Sequence, residues 1–95
     1  MKAILLYRDK RVRESGLLAE AVIWRIPKSE RYPEGYRYRL VLTDPTTGII
    51  YVLFDNHAPK GHHRHGRGGL ELKYDFVSLD RLMDDYQLAI TQAEK

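Results

Sequence analysis

All four histidines of this chain, His57, His62, His63 and His65, fall within nine consecutive residues. The segment reads Asp55-Asn56-His57-Ala58-Pro59-Lys60-Gly61-His62-His63-Arg64-His65-Gly66-Arg67-Gly68-Gly69. Imidazole titrates nearest to neutrality of all side chains, so a cluster of it can exchange protons at physiological pH. Lys60, Arg64 and Arg67 add fixed positive charge. Proton carriers beside fixed cations suit a substrate that carries phosphate.

Three chemistries are open to such a segment. In an extended chain His63 and His65 project to one side, and Lys60, His62 and Arg64 to the other. Two imidazoles facing one phosphodiester permit metal-independent RNA cleavage. One histidine takes the 2′-hydroxyl proton, the other protonates the leaving oxygen, and Arg64 or Lys60 stabilises the phosphoryl charge. The second chemistry is a metal site built from His57, His62, His63 and His65. The adjacent cations argue against it, as does Asp55 being the sole carboxylate close by in sequence, so neither a metal nor another cofactor is expected. The third is binding without catalysis, to nucleic acid through phosphate contacts or to a partner protein through a polar interface. The glycines and prolines of the segment match no P-loop or dinucleotide fingerprint, which argues against ATP binding.

The surrounding elements decide which side chains meet. Ala3 to Asp9 reads as a first strand followed by a charged turn over 10–16, and Leu17 to Ile26 as a second strand ended by Pro27. Lys28 to Gly35 is a loop. Tyr36 to Thr43 alternates, with Tyr36, Tyr38, Leu40 and Leu42 on one side and Arg37, Arg39, Val41 and Thr43 on the other. Asp44-Pro45-Thr46-Thr47-Gly48 turns the chain into a strand over Ile49 to Asp55. With Thr43 opposite Ile49, Tyr38 faces Phe54, Leu40 faces Val52, and Arg37 faces Asp55. Residues 56–69 form a His/Gly/Arg-rich loop. Leu70 to Phe76 alternates as a last strand, and Ser78 caps a helix whose Leu79, Leu82, Met83, Tyr86 and Ile90 share one face. This predicts one α+β domain spanning 1–95, with an antiparallel sheet of about five strands and one C-terminal helix packed on it. Asp55, Asn56, His57, Arg37, Arg39 and Arg67 are substrate-binding candidates around the histidines. Tyr32, Tyr36 and Tyr38 alternate with Arg31, Arg37 and Arg39 in a pattern that could stack bases, although Tyr36 and Tyr38 share the apolar side of their strand.

A chain of 95 residues holds one core, and the absence of cysteine excludes disulfides, thiolate metal clusters and a cysteine nucleophile. No run of residues approaches a membrane span or a signal-peptide core, so a cytoplasmic protein is expected. The net charge of +3 hides an asymmetry. Residues 1–67 carry 13 Lys+Arg against 7 Asp+Glu, and residues 68–95 carry 3 against 6. A polyanion suits the first part and a basic partner the second.

The order Asp55-Asn56-His57, then Pro59-Lys60-Gly61, then His62-His63-Arg64-His65-Gly66 resembles the TumE family of type II toxin-antitoxin toxins. An aromatic-rich strand before it, a Tyr74-x-Phe76 strand after it and an acidic amphipathic helix complete the resemblance. It runs from about Tyr36 to Ile90, is most specific at Lys60-Gly61-x-His63-Arg64-His65, and fits the N-terminal strands more loosely. What it implies is a growth-inhibiting toxin encoded beside a helix-turn-helix antitoxin that neutralises it; a homo- or hetero-oligomer is a separate expectation. The family supplies no target; from the histidine segment itself RNA is expected, with His63 and His65 as acid and base and Lys60 and Arg64 holding phosphate. The alternative is a noncatalytic module whose basic loop recognises nucleic acid or the antitoxin.

Overall fold

The computed structural model describes residues 2–95. Six strands form one antiparallel sheet in sequence order: β1 (Ile4–Val12), β2 (Leu18–Arg25), β3 (Tyr36–Thr43), β4 (Ile50–Asp55), β5 (His63–Gly66) and β6 (Glu71–Lys73). A single helix, α1 (Leu79–Ala93), lies over one face. The α+β architecture is as the patterning predicts, with one strand more.

The additional strand is β5, which lies inside the segment expected to be a loop. It pairs with β4 and β6, placing His63 opposite Asp55 and Lys73, and His65 opposite Leu53 and Glu71. No apolar alternation announces it, because its helix-side residue is Arg64, whose guanidinium lies 4.8 Å from the Phe54 ring centroid. An arginine stem and planar head cover the aromatic where a leucine would otherwise stand. Gly68 and Gly69, both at positive φ, make the tight return to β6.

The β3–β4 register differs from the one expected by two residues. Leu40 faces Phe54, Leu42 faces Val52, and Arg39 rather than Arg37 faces Asp55. Thr43 pairs with Ile50, a shift of one, and a bulge between Leu42 and Thr43 supplies the second. Two single shifts restore the parity of the pleat, so Val52, Leu53, Phe54 and Asp55 keep their predicted faces, while Tyr51 at the bulge packs on the helix side and not on the open face that strict alternation gives it. The other departures are at the edges. β1 continues through Val12 into the residues read as a turn. β6 is only three residues long, and Leu70 and Leu72 are exposed because α1 does not extend over that edge.

The core lies between sheet and helix: Tyr38, Leu40 and Leu42 from β3, Val52 and Phe54 from β4, Ala21 and Ile23 from β2, and Leu82, Tyr86, Ala89 and Ile90 from α1. Burying a large aliphatic such as Leu82 or Ile90 contributes roughly 1.5–3 kcal/mol. The helix begins where expected, with the Ser78 hydroxyl accepting from the Arg81 N–H at 3.1 Å and Asp80 in the first turn. Its far end is tied to the β1–β2 turn. Arg13 donates to both oxygens of Glu94 at 3.1 and 2.9 Å, and Ser15 donates to Glu94 at 2.8 Å. The helix thus seals one face of the sheet and leaves the other uncovered.

Candidate active site

The uncovered face carries two of the four histidines, His63 and His65. Alternation along β5 sends His63 and His65 to this side, where their rings stand 5.2 Å apart at a tilt of 67°. Their side chains retain 12% and 23% exposure, enough to be reached from solvent and little enough to be held. The Nδ1–H of His63 donates to the Gly61 carbonyl at 2.8 Å. That bond fixes the ring and leaves Nε2 as the free nitrogen, the arrangement a general base requires. His65 Nε2 lies 3.1 Å from Glu71 Oε1, and His63 Nε2 lies 3.9 Å from the same oxygen.

Glu71 is the hub that sequence reasoning missed. Lys60 also reaches its Oε1, donating at 2.7 Å, and this hydrogen bond is the main reason the Glu71 carboxyl is held below the usual carboxylate range. The signal was present in the alternation of Leu70 to Phe76, which puts Glu71 on the polar side. Pairing Glu71 with His65 requires knowing that Gly66 to Leu70 is a tight turn. Lys60 was expected across from His63 and His65. The chain turns at residues 58–60 rather than running extended, and this delivers the ammonium to the histidine side.

The remaining candidates separate into three groups. Arg37 and Arg39 are exposed on the same face as His63, and Arg39 Nε lies 3.9 Å from Asp55 Oδ2. Asp55 is mostly buried and accepts from the His57 N–H at 2.7 Å, so it shapes the exit from β4, with the half-exposed His57 ring 3.8 Å away. Asn56 is 2% exposed: its Oδ1 accepts from the Tyr38 N–H at 2.9 Å and its Nδ2 donates to the Tyr36 carbonyl at 2.8 Å. It substitutes for the missing ladder partner after β4 ends and does not face solvent. Arg64 and Arg67 lie on the helix side, over Phe54 and Tyr51, apart from the histidine pair.

His62 has a separate environment. Its ring stacks on Phe76 at 4.8 Å, its Nε2–H donates to Glu34 at 2.9 Å, and its Nδ1 accepts from the Tyr38 hydroxyl at 2.7 Å. Burial, the leading cause, pushes the Tyr38 hydroxyl far above the ordinary phenol range and keeps its proton in place for that bond. The tyrosines of the Tyr/Arg pattern are engaged in structure: Tyr38 is core, Tyr36 packs at 6.1 Å from Phe76, and the Tyr32 hydroxyl accepts from the Ala58 N–H at 3.1 Å.

Among the described residues, the side chains placed to hold a metal are His63, His65 and Glu71, whose donor atoms lie within 4.8 Å of one another. His57 and His62 are not in that group. Two imidazoles and one carboxylate are a chemically reasonable donor set for a divalent transition ion. The hydrogen bond from Lys60 already occupies the carboxylate oxygen they share.

Fold and site together define a small six-stranded meander backed by one helix, with an imidazole pair, a lysine and a carboxylate on the open face of the sheet. The chain belongs to the Toxin TumE family, which it matches over residues 2–93. It is therefore a toxin of a toxin-antitoxin system, with an antitoxin as its partner. No curated protein and no solved structure matches it. No helix among the described residues is long and apolar enough to cross a membrane.

Proposed function

We propose that this toxin cuts RNA by metal-independent acid–base chemistry on the open face of the sheet, in the cytoplasm. The observation that carries the reading is the adjacent His63 and His65 pair, one ring hydrogen-bonded to the Gly61 carbonyl and the other set against the Glu71 carboxylate. His63, its Nδ1–H given to Gly61, presents Nε2 to take the proton of a ribose 2′-hydroxyl. His65, whose Nε2 lies 3.1 Å from Glu71 Oε1, is the partner that donates a proton to the departing 5′ oxygen. The 2′ oxygen bonds to phosphorus as the P–O5′ bond breaks, leaving a 2′,3′-cyclic phosphate and a 5′-hydroxyl. Lys60 lies within reach of the same space and supplies positive charge for the phosphoryl oxygens, while Arg37 and Arg39 hold neighbouring phosphates. Arg64 has no part in this mechanism because it lies on the other face.

The antitoxin in this reading is a helix-turn-helix protein that neutralises the toxin in a hetero-oligomer. The test is inducible expression in a bacterial host of wild type and a folded His63→Ala/His65→Ala variant, with growth and total RNA integrity followed together. Growth arrest with RNA decay, both lost in the variant, supports the reading. Arrest without RNA damage refutes it.

A further inference from the structure

A concavity lies on the open face, three strands away from His63. It encloses about 270 Å³ between the outer strands β1, β2 and β3. Two cross-strand rows build it: Arg8, Val22 and Arg39 in one, Lys10, Glu20 and Val41 in the next. Val22 and Val41 give it an apolar floor. Arg8, Lys10 and Arg39 stand exposed at its rim with the Glu20 carboxylate among them; Asp9 also lines it, its carboxylate paired with Arg11 at 3.0 Å. Among the described residues, Arg8, Lys10 and Glu20 form no close ion pair, although Lys10 stands opposite Glu20 in the ladder.

We propose that this cavity is a nucleotide subsite for single-stranded RNA, the base resting on Val22 and Val41 with its flanking phosphates held by Arg8, Lys10 and Arg39. The inference rests on RNA being the substrate of the histidine pair and adds where a second nucleotide of that substrate sits. Apolar floor and cationic rim match the two halves of a nucleotide: a flat base with a π face, and a charged backbone. The row continues from Arg39 to Asp55 to His63, so the subsite and the catalytic pair lie on one line across the strands. Val22 on β2 and His63 on β5 are three strand spacings apart, roughly 14 Å, which a few extended nucleotides span.

The single strand follows from the geometry of the base. A paired base is stacked within its helix and cannot enter a cavity, whereas an unpaired one can be splayed out and read along its Watson–Crick edge. Glu20 accepts hydrogen bonds only, so it selects a base with donors on that edge. Guanine, with adjacent N1–H and N2–H donors, fits a carboxylate with both oxygens; uracil offers one donor flanked by acceptors that repel it.

The test uses fluorescence anisotropy with 2′-O-methyl oligonucleotides, which lack the attacking hydroxyl and are not cut. The probes are a labelled uridine 8-mer, the same 8-mer with one guanine, and a duplex of that sequence. The guanine-containing single strand is expected to bind at least tenfold more tightly than the duplex and several-fold more tightly than the uridine strand. Arg8→Ala/Arg39→Ala should weaken it at least tenfold and flatten its salt dependence. Glu20→Gln should abolish the guanine preference, and Arg81→Ala on the helix should change nothing. All substituted side chains are exposed, and unchanged melting temperatures verify folding. Equal binding of duplex and single strand, or Arg8→Ala/Arg39→Ala binding as wild type does, overturns the subsite. Guanine-independent binding overturns its base selectivity. Binding as expected without any cleavage of an unmodified strand refutes the catalytic reading and leaves the subsite standing.

Discussion

Replacing Asn56 with alanine removes two hydrogen bonds from a side chain that is 2% exposed, and leaves the Tyr38 N–H and the Tyr36 carbonyl without their partners. Each lost bond costs about 1 kcal/mol net, and a buried group left unsatisfied costs about 1–3 kcal/mol, so the substitution should destabilise by about 2–5 kcal/mol in total. A domain of this size has a total stability of roughly 5–14 kcal/mol, so a large part of it is at stake. At about 4–8 °C per kcal/mol, melting falls by at least roughly 8 °C. Urea denaturation followed through Trp24, the single tryptophan, measures this as a lower midpoint at unchanged slope. Asn56→Asp should fare no better, because a carboxylate cannot donate to the Tyr36 carbonyl. A loss below about 1 kcal/mol, together with weakened RNA binding well below the melting temperature, would refute the structural assignment and return Asn56 to the substrate.

Other perturbations separate the elements of the account. Tyr86→Phe removes a hydroxyl that donates to the Val41 carbonyl at 2.7 Å inside the core, and should cost about 1–2 kcal/mol in urea denaturation. The Glu94 carboxyl is held below the usual range, first by the hydrogen bond from Arg13 and then by that from Ser15. A depressed carboxyl stabilises the fold above its unfolded pKa, and that contribution is lost as pH falls through its folded value. The melting temperature of wild type should therefore exceed that of Arg13→Ala most clearly near neutrality, and the gap should close below about pH 4. An equal gap at pH 3 and pH 7 would contradict the ion pair's role. Zinc should inhibit RNA cleavage reversibly by occupying the imidazole nitrogens of His63 and His65, with Glu71→Gln less sensitive to it. Activation by zinc would contradict the metal-independent mechanism.

Most of the fold was legible because each long element repeats at its own period. Tyr36 to Thr43 alternates, α1 presents Leu82, Tyr86 and Ile90 to the core at helical spacing, and Ser78 marks the start of the helix. Two things were hidden. The bulge between Leu42 and Thr43 leaves no trace in the hydrophobic pattern, so the partner of Asp55 was misplaced while its face was right. β5 was concealed because polar residues fill both its faces, with Arg64 performing an apolar residue's covering role on Phe54. The histidine cluster was visible as a cluster, but its division was not. Whether His62 stacks on Phe76 or joins His63 and His65 depends on where the chain enters β5, and Glu71 joins them only through strand pairing. Asn56 and Asp55 looked like site residues because polar side chains beside histidines do; their hydrogen bonds to backbone show instead how the sheet is closed at that end.

Metal-independent RNA cleavage by His63 and His65 leaves its signature in the end groups of the product. Purified toxin is incubated with single-stranded RNA in excess EDTA and the fragment termini are identified. The expected fragments carry 2′,3′-cyclic phosphate and 5′-hydroxyl ends, formed by wild type and reduced at least a hundredfold in His63→Ala and in His65→Ala. Fragments ending in 5′-phosphate, cleavage that EDTA abolishes, or undiminished cleavage by either variant would contradict it.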